Sequence, residues 1–382
     1  MTTAVIADST RTPIGRAGRG SLRDVRPDDL AAGVIREVVG RSGVDPDLIE
    51  DVILGTAYPQ GKAGSNMGRR VVPLAGLPLS VPGTTVNRFC ASSLQAIRMA
   101  AHAVRAGEAD ALIAAGVESV SMTGRGTAAE DQHPDLVMPG GIADMYISMG
   151  ETAENVADRY GVARTDMDAF ALRSHRLAIA AQDDGTTARE ITPVQTPDGR
   201  VIDTDDGPRR TTSAEILASL PPAFRVGGAV TAGNSCPLND GAAAVLVTSE
   251  DLARREGLGI RARIIGTAVS GIAPEIMGVG PIEAVTRLLE RTGRRIEDID
   301  AIEFNEAFAA QVLATARETG MDIDRQVNLR GGSIALGHPF GMSGARLVAT
   351  LLTTLETIDG TLGLATMCVG GGQGMALLVE RV

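Results

Sequence analysis

Two rhythms alternate along this chain. Short, continuous apolar runs at residues 4–8, 51–55, 84–87 and 110–116 have the length and texture of strands buried on both faces. Between them, residues 30–39 and 92–104 carry apolar positions at helical spacing, and Gly40 and Gly43 end the first of these. After a further strand-like run at 242–248 the plan recurs. Residues 282–291 predict a helix stopped by Gly293, 300–304 a strand, 307–319 a helix, and 343–355 a helix entered through a glycine-rich turn after Asn328-Leu329. The runs 362–367 and 375–380 complete the second set. Ile49-Glu-Asp-Val in the first part closely matches Ile296-Glu-Asp-Ile in the second. The repetition predicts a duplicated α/β unit, with two similar sheets and helices between and around them.

Residues 119–238 break the rhythm. This stretch is polar and rich in Gly, Pro and Asp, with helical segments at 152–160 and 166–181 and a loop-like segment at 192–212. An insert of this kind covers a site or merely elaborates a surface. The predicted organisation is therefore a first α/β unit of residues 1–118 with 239–260, a loop domain at 119–238 over the site, and a second α/β unit at 261–382.

Composition narrows the function classes. A chain of 382 residues exceeds one ordinary core. Its 46 glycines, well above the usual ~7%, follow no collagen period and form no linker, so they belong to tight turns and close backbone approaches. A net charge of −11 leaves no basic surplus for nucleic acid. Lys62 is the sole lysine, so clustered arginines such as Arg209-Arg210 stand out. No window approaches the ~20 apolar residues of a membrane span, and residues 1–6 lack signal-peptide character. Cys90, Cys236 and Cys368 are far apart, without C-x-x-C spacing. They fit neither a disulfide framework nor a zinc ribbon and point to a reducing, cytoplasmic setting.

Four segments combine reactive residues with unusual backbone. Cys90, in Val86-Asn-Arg-Phe-Cys-Ala-Ser-Ser-Leu-Gln-Ala96, lies where a strand gives way to a helix. A thiol there feels the positive end of the helix dipole, which favours thiolate. His338, in Gly337-His-Pro-Phe-Gly-Met-Ser-Gly344, is held by glycine and proline on both sides. It occupies a place in the second unit close to that of Cys90 in the first, so a pseudo-twofold would bring the two together. Cys368 opens Cys368-Val-Gly-Gly-Gly-Gln-Gly374, whose glycines let main-chain N–H groups approach a ligand. Asn305, in Asn305-Glu-Ala-Phe-Ala309, offers an amide that could hold a water, and Glu306 could orient a neighbour. Read singly, each has a bland alternative as core or turn.

Taken in order, these segments resemble the thiolase family over essentially the whole chain. Arg11-Thr-Pro13, Met149-Gly-Glu-Thr-Ala-Glu-Asn155, Thr231-Ala-Gly-Asn234 and Asn239-Asp-Gly-Ala-Ala243 add to the likeness. The resemblance implies the thiolase fold, a layered αβαβα arrangement of two duplicated units with an inserted loop domain. It also implies ping-pong Claisen chemistry on 3-ketoacyl-CoA. Carried over by position, Cys90 is the nucleophile and His338 its proton acceptor. Asn305 holds the water of a first oxyanion site, and Cys368 is the general acid/base, which a thiol pKa near or modestly below ~8.5 suits. The N–H groups of Cys90 and Gly370 form a second oxyanion site. Ser235 and Cys236 lie beside the pantetheine, with Ala307 and Phe308 near them. Arg209 or Arg210 is the candidate for the nucleotide phosphates, and Met149 and Met277 line the acyl pocket. CoA enters as co-substrate, with no permanently bound cofactor and no metal. The family implies a homodimer or homotetramer, and some members join multienzyme β-oxidation complexes.

Departures from the family's small-substrate pattern bear on specificity. Acetoacetyl-CoA enzymes usually have His-Met-Gly where this chain has Ser148-Met-Gly150, glycine in place of Ser93, and Ala-Ser-Gly in place of Ser235-Cys-Pro237. The expectation is thiolytic cleavage of medium, long or bulky 3-ketoacyl-CoA, with a biosynthetic acetoacetyl-CoA thiolase as the alternative. A ketoacyl-carrier-protein synthase resembles a Cys-His-His arrangement instead. A non-catalytic CoA binder would lack the cysteines or histidine, and a metal site built from them predicts bound zinc.

Overall fold

The computed structural model describes residues 2–124, 126–137 and 141–382. Nine strands carry the architecture: β1 (Ala4–Arg11), β2 (Asp51–Gly55), β3 (Gly83–Val86), β4 (Ala111–Ser119), β5 (Asn239–Ser249), β6 (Ala262–Gly271), β7 (Ala301–Phe304), β8 (Leu362–Val369) and β9 (Gln373–Arg381). The main helices are α1 (Pro27–Ser42), α2 (Met67–Leu74), α3 (Ser92–Ala106), α4 (Met149–Tyr160), α5 (Arg164–Asp183), α6 (Gly280–Thr292), α7 (Ala309–Thr319) and α8 (Ser343–Ile358).

The two halves repeat each other strand for strand. In the first, β2 pairs parallel with β3 and β4, and β5 pairs antiparallel with β4 and β1. In the second, β7 pairs parallel with β8, and β9 pairs antiparallel with β8 and β6. Val327 bridges β7 where β3 flanks β2. The two sheets expected from the sequence are joined at one edge, because Val5 and Ile6 of β1 pair with Arg263 and Ala262 of β6. The strand β6 and the helix α2 were not legible as elements. Along β6 only alternate residues are buried, and α2 contains Pro73.

The repeat also corrects its own first clue. Ile49 and Ile296 share a motif but not a place. Glu50 N–H donates to Ala111 O, while Asp300 N–H donates to Leu362 O at the same step of the second unit. The Glu50 carboxylate accepts Ala111 N–H, and the Asp300 carboxylate accepts Thr361 and Leu362 N–H. Glu50 is thus equivalent to Asp300 and Ile49 to Ile299, three residues out of register with the visible likeness.

Alternation along the strands builds five layers. Ile53, Leu112 and Ala114 face inward with Ala365, Met367 and Val369, and α3 and α8 lie between them. Val52, Leu54, Ala111 and Ile113 face outward onto α1 and α2. Leu364 and Leu378 face outward onto α6 and α7, where Ala153, Val156, Met167 and Phe170 of the inserted helices α4 and α5 also pack. Helix α8 is buried from Ser343 to Leu355, the signature of a helix with no solvent side. It crosses α3 closely. A β-carbon on Gly344 would lie 2.4 Å from Leu94 N, and Ser93 Oγ accepts Ala345 N–H at 2.9 Å. The N-terminal turns of α3 and α8 therefore meet at the centre of the molecule.

The insert is fastened by buried charge. Arg11, fully buried at the end of β1, pairs with Glu190 at 2.8 Å and with Asp205 at 2.7 Å. Residues 192–212 are mostly loop, as expected, with one two-residue hairpin, Val194–Gln195 against Val201–Ile202.

Candidate active site

The chain between β3 and α3 is turned by its own polar groups. Asn87 Oδ1 accepts Phe89 N–H at 2.7 Å, and Asn87 Nδ2 donates to Ala57 O at 2.9 Å. Ser92 Oγ accepts Arg88 N–H at 2.9 Å and donates to Phe89 O at 2.6 Å. These bonds hold Phe89 at φ 43°, a left-handed conformation that a bulky residue rarely adopts. The sharp turn sets the Cys90 sulphur against two main-chain N–H groups, its own and that of Gly370. Cys90 keeps some open surface, yet its sulphur is enclosed by protein. Burial, followed by the Glu118 carboxylate, pushes the thiol up to about 12 against the pull of the two N–H groups. The lowered thiol expected from the helix N-terminus is therefore not what the resting site holds: desolvation outweighs the two N–H bonds that favour thiolate.

His338 is placed with equal care. Gly337 has φ 115° and no room for a side chain, since a β-carbon would lie 2.5 Å from Asn239 Cγ. Asn239 Oδ1 accepts His338 N–H at 2.9 Å. The imidazole Nδ1 lies 2.6 Å from Ser343 Oγ, and Ser343 Oγ donates to Pro339 O at 2.8 Å. The hydroxyl has one hydrogen and the carbonyl none, so Nδ1 must donate. Nε2 is left with its lone pair, 3.2 Å from Asn305 Nδ2. Burial and the nearby Arg346 guanidinium lower the imidazole to about 3. Burial thus favours the neutral form of each group, raising the thiol and lowering the imidazole.

The orientation of Asn305 follows in the same way. Its Oδ1 accepts from Ser333 Oγ at 2.7 Å. Ser333 Oγ in turn accepts from Arg346 at 2.9 Å, and Arg346 pairs with Glu303 at 3.1 Å. With Oδ1 occupied, the amide N–H groups face His338. Glu306, the other candidate in this segment, faces elsewhere. Its carboxylate accepts from Ser174 Oγ at 2.6 Å, Asn328 Nδ2 at 2.8 Å and Ile334 N–H at 3.1 Å, and so ties α5 to the turn at 332–334.

Cys368, near the end of β8, is buried and bonded to Gln311 Oε1. Burial, then Cys90 and Cys236, raise its thiol well above the ordinary value, again higher than the sequence led one to expect. All three cysteines are close enough to act on one another's ionisation. Gly371 and Gly372 have φ 74° and 77°, and a β-carbon on Gly372 would lie 2.1 Å from Ile272 O. The second and third glycines are required by the backbone. Phe89 and Met149 flank Gly370, and Met145 and Phe89 flank Gly371.

A cavity opens beside this cluster, lined by Arg16, His175, Arg209, Ser235, Pro237 and Ile334 among others. Arg209 N–H donates to His175 Nδ1 at 3.2 Å, and Arg16 and Arg209 sit close enough to depress His175 to about 4, after the larger effect of burial. Arg210 is not part of it: exposed, it pairs with Asp183 at 2.9 Å. Cys236 N–H donates to Ala307 O at 2.9 Å, and Ser235 bridges Phe308, so the four residues expected together are together. Met277 is buried in the core of the second half. Ser93 serves the α3–α8 crossing, and Ser148 caps α4 by accepting Glu151 N–H at 3.3 Å.

Sequence reading missed Arg16, Glu118, Gln311, Ser333, Ser343 and Arg346. Three of them left a signal: Glu118, Gln311 and Arg346 are polar residues inside apolar strand or helix patterns. Glu118 accepts from Ala57 N–H at 2.8 Å, Tyr58 N–H at 3.3 Å, Gly341 N–H at 2.9 Å and the Thr56 hydroxyl. Burial raises it to about 7.

Among the described residues no three His, Cys, Asp or Glu side chains are grouped to hold a metal, and no helix is long and apolar enough to cross a membrane. The arrangement offers a thiol against two N–H groups, a neutral imidazole acceptor beside an amide, and a second thiol.

Known proteins carry the same plan. The thiolase N-terminal domain matches residues 4–251 and the thiolase C-terminal domain residues 258–381. A 3-ketoacyl-CoA thiolase of Bacillus subtilis is 44% identical, covering 100% of both chains. A beta-ketoadipyl-CoA thiolase of Pseudomonas aeruginosa is 49% identical over 99% of this chain and 98% of its own. The crystal structure of the Bacillus anthracis acetyl-CoA acetyltransferase superposes with a TM-score of 0.92 at 39% identity, covering 100% of this chain and 99% of its own. With its fold, its paired domains and its full-length relatives in agreement, this chain belongs to the thiolase family of acyltransferases.

Proposed function

We propose that this thiolase cleaves 3-ketoacyl-CoA with CoA, giving acetyl-CoA and a shortened acyl-CoA through an acyl group on Cys90. The observation that carries this reading is one linked cluster: Cys90, with two N–H groups on its sulphur, acts on the ionisation of Cys368, Gln311 bonds Cys368 and the Asn305 main chain, and Asn305 faces His338. His338 Nε2 takes the Cys90 proton, and the sulphur attacks the 3-keto carbon. The N–H groups of Cys90 and Gly370 stabilise the tetrahedral oxyanion, and Asn305 and His338 stabilise the thioester enolate that leaves. Losing one such donor typically costs ~10²–10³ in rate. Cys368 protonates the enolate carbon, then takes the proton of incoming CoA, whose sulphur releases the acyl group, and Cys90 takes its proton back from His338. Moving charge between neutral partners suits an enclosed site, where a resting ion pair would be costly.

CoA is the co-substrate and no resident cofactor is needed. Its pantetheine lies along Ser235–Cys236 and Ala307–Phe308, and Arg209 with Arg16 takes the phosphates. Phe89, Met145 and Met149 around Gly370 and Gly371 favour an acyl group longer or bulkier than acetoacetyl. The enzyme works as a cytoplasmic homodimer or homotetramer in acyl-CoA degradation, β-oxidation included. The relative named for beta-ketoadipyl-CoA adds a carboxylate-ended acyl chain to the substrates to be tried.

The test is turnover of a series from acetoacetyl-CoA through long-chain 3-ketoacyl-CoA and beta-ketoadipyl-CoA, followed by loss of enolate absorbance, with Cys90→Ala in parallel. Turnover that rises with acyl size and vanishes in the variant is expected. Activity on acetoacetyl-CoA alone would move the enzyme to the biosynthetic branch, and silence on every CoA ester would point to carrier-protein substrates.

A further inference from the structure

We infer that Gln311 is a positioning residue for the reaction proposed above: its side-chain carbonyl receives the Cys368 hydrogen and keeps that proton where the enolate carbon will need it. The inference rests on the reading of Cys368 as the acid/base, and on the geometry around Gln311.

Gln311 lies in the first turn of α7 and is fully buried. A buried amide is costly unless both of its ends are bonded. Its Nε2 donates to the main-chain carbonyl of Asn305 at 2.8 Å, which fixes the flip of the amide and turns Oε1 to the Cys368 sulphur. A carbonyl oxygen has no hydrogen to give, so the S–H must donate. The stem is pinned as well, since a β-carbon on Gly278 would lie 2.9 Å from Gln311 Cβ. One side chain therefore holds the main chain of Asn305 and the thiol of Cys368 together, linking the residue that follows β7 to one within β8.

The consequence is chemical. With the proton on sulphur the Gln311 carbonyl is satisfied; with the thiolate, two negative ends face each other. Gln311 thus favours the thiol before C–C cleavage. When the enolate forms, the S–H bond breaks, a C–H bond forms on acetyl-CoA, and the thiolate left behind faces the carbonyl dipole. That opposition makes it a stronger base toward the CoA thiol, whose proton restores Cys368 as the CoA sulphur attacks the acyl carbon. The other titratable groups facing Cys368 are Cys90, from the turn before α3, and Cys236, from the segment beside Ala307. Both act in the same direction as Gln311, so the glutamine must be isolated by substitution.

The experiment measures iodoacetamide labelling of Cys368 against pH, read at that peptide by mass spectrometry, together with rapid-quench rates of acyl-Cys90 formation and of its discharge by CoA. In Gln311→Met, which keeps length and loses the acceptor, the labelling profile should move about one unit to lower pH. Discharge should slow more than acylation. In Gln311→Glu, whose carboxylate faces the sulphur, the profile should move the other way. Labelling profiles that coincide with the wild type in the folded variants overturn the inference, and if the Met variant fails to fold the Glu variant decides it. The labelling needs no turnover. A wild type that cleaves 3-ketoacyl-CoA while its variants keep the wild-type profile removes only the role of Gln311. A wild type inactive on every CoA ester removes the proposed reaction.

Discussion

The two halves share one scaffold and differ in what they place at its centre. Aligning Glu50 with Asp300, Ala111 with Leu362 and the helix starts Ser92 and Ser343 makes Cys90 the counterpart of Gly341. By the same registers, Cys368 corresponds to Val117 and Asn305 to Gly55. Gly341 packs into the first half as Cys90 packs into the second. Its β-carbon would lie 2.4 Å from Val117 O, 2.7 Å from Thr56 Cα and 2.9 Å from Gly55 O. The twin site is closed by backbone. Its donors are also already occupied: the Gly341 N–H, counterpart of the Cys90 N–H, is taken by the Glu118 carboxylate at 2.9 Å. In the open site no carboxylate among the described residues sits on the N–H groups of Cys90 and Gly370, which rest against the Cys90 thiol. Duplication supplied two inward-facing helix turns. One is filled by the protein itself, and the other is left for a substrate oxygen.

Arg346 is where breaking this asymmetry costs most. Its counterpart in α3 is Gln95, which accepts from the Arg88 guanidinium at 2.9 Å, so the two helix turns carry different side chains at this position. Arg346→Met leaves the Glu303 carboxylate buried and unpaired, a loss of about 3–5 kcal/mol by the rule for broken buried pairs, readable in denaturant unfolding. Because burial already raises Glu303 to about 8, protonation at neutral pH should bring the cost toward the lower end. Gly341→Ala tests the closure of the twin, and a loss of roughly 1–3 kcal/mol is expected from overpacking against backbone. A variant as stable as wild type would mean the twin has room, and the contrast with Cys90 would fail.

Ser333→Ala probes the open half alone. The Asn305 amide loses the bond that sets its orientation, and kcat should fall about 10- to 100-fold, as misplacement of a donor predicts, with little change in the KM for CoA. An unchanged kcat would show that the amide needs no such support. The smallest effect is spectroscopic. Because the folded His338 is lowered to about 3 from an ordinary ~6.5, the unfolded chain takes a proton that the folded one refuses. This group therefore adds stability as pH rises between those values and holds it above them. Its imidazole NMR signals should stay flat from pH 5 to 8, and a titration inside that window would argue for a charged resting pair.

Much of this was legible beforehand. Apolar runs of strand length, glycine helix stops and the recurrence of the plan revealed the duplicated α/β organisation. Cys90, His338, Asn305 and Cys368 each stood out because a reactive side chain sat beside unusual backbone. The register of the repeat was not legible, since Ile-Glu-Asp recurs three residues away from the equivalence that hydrogen bonding sets. Nor was the choice between Arg209 and Arg210, because adjacent residues on a loop turn to opposite sides only once the fold directs them. Ser93, read as a clue to substrate size, also bonds two helices, a role that the sequence did not show.

The sequence by itself determined most of the elements, the family, and which side chains could react, because periodicity, glycine placement and nucleophile identity are local properties written one residue at a time. Protonation and orientation were decided only in three dimensions. A helix N-terminus alone predicts a lowered thiol, yet burial pushes the Cys90 thiol up to about 12 against the two N–H groups that favour thiolate. The lone pair on His338, the flip of Asn305 and the proton on Cys368 are likewise settled by Ser343, Ser333 and Gln311, residues whose sequence neighbours give no hint of what they face. Hydrogen bonds have direction and burial depends on every layer, so such choices exist only after the chain has closed around them.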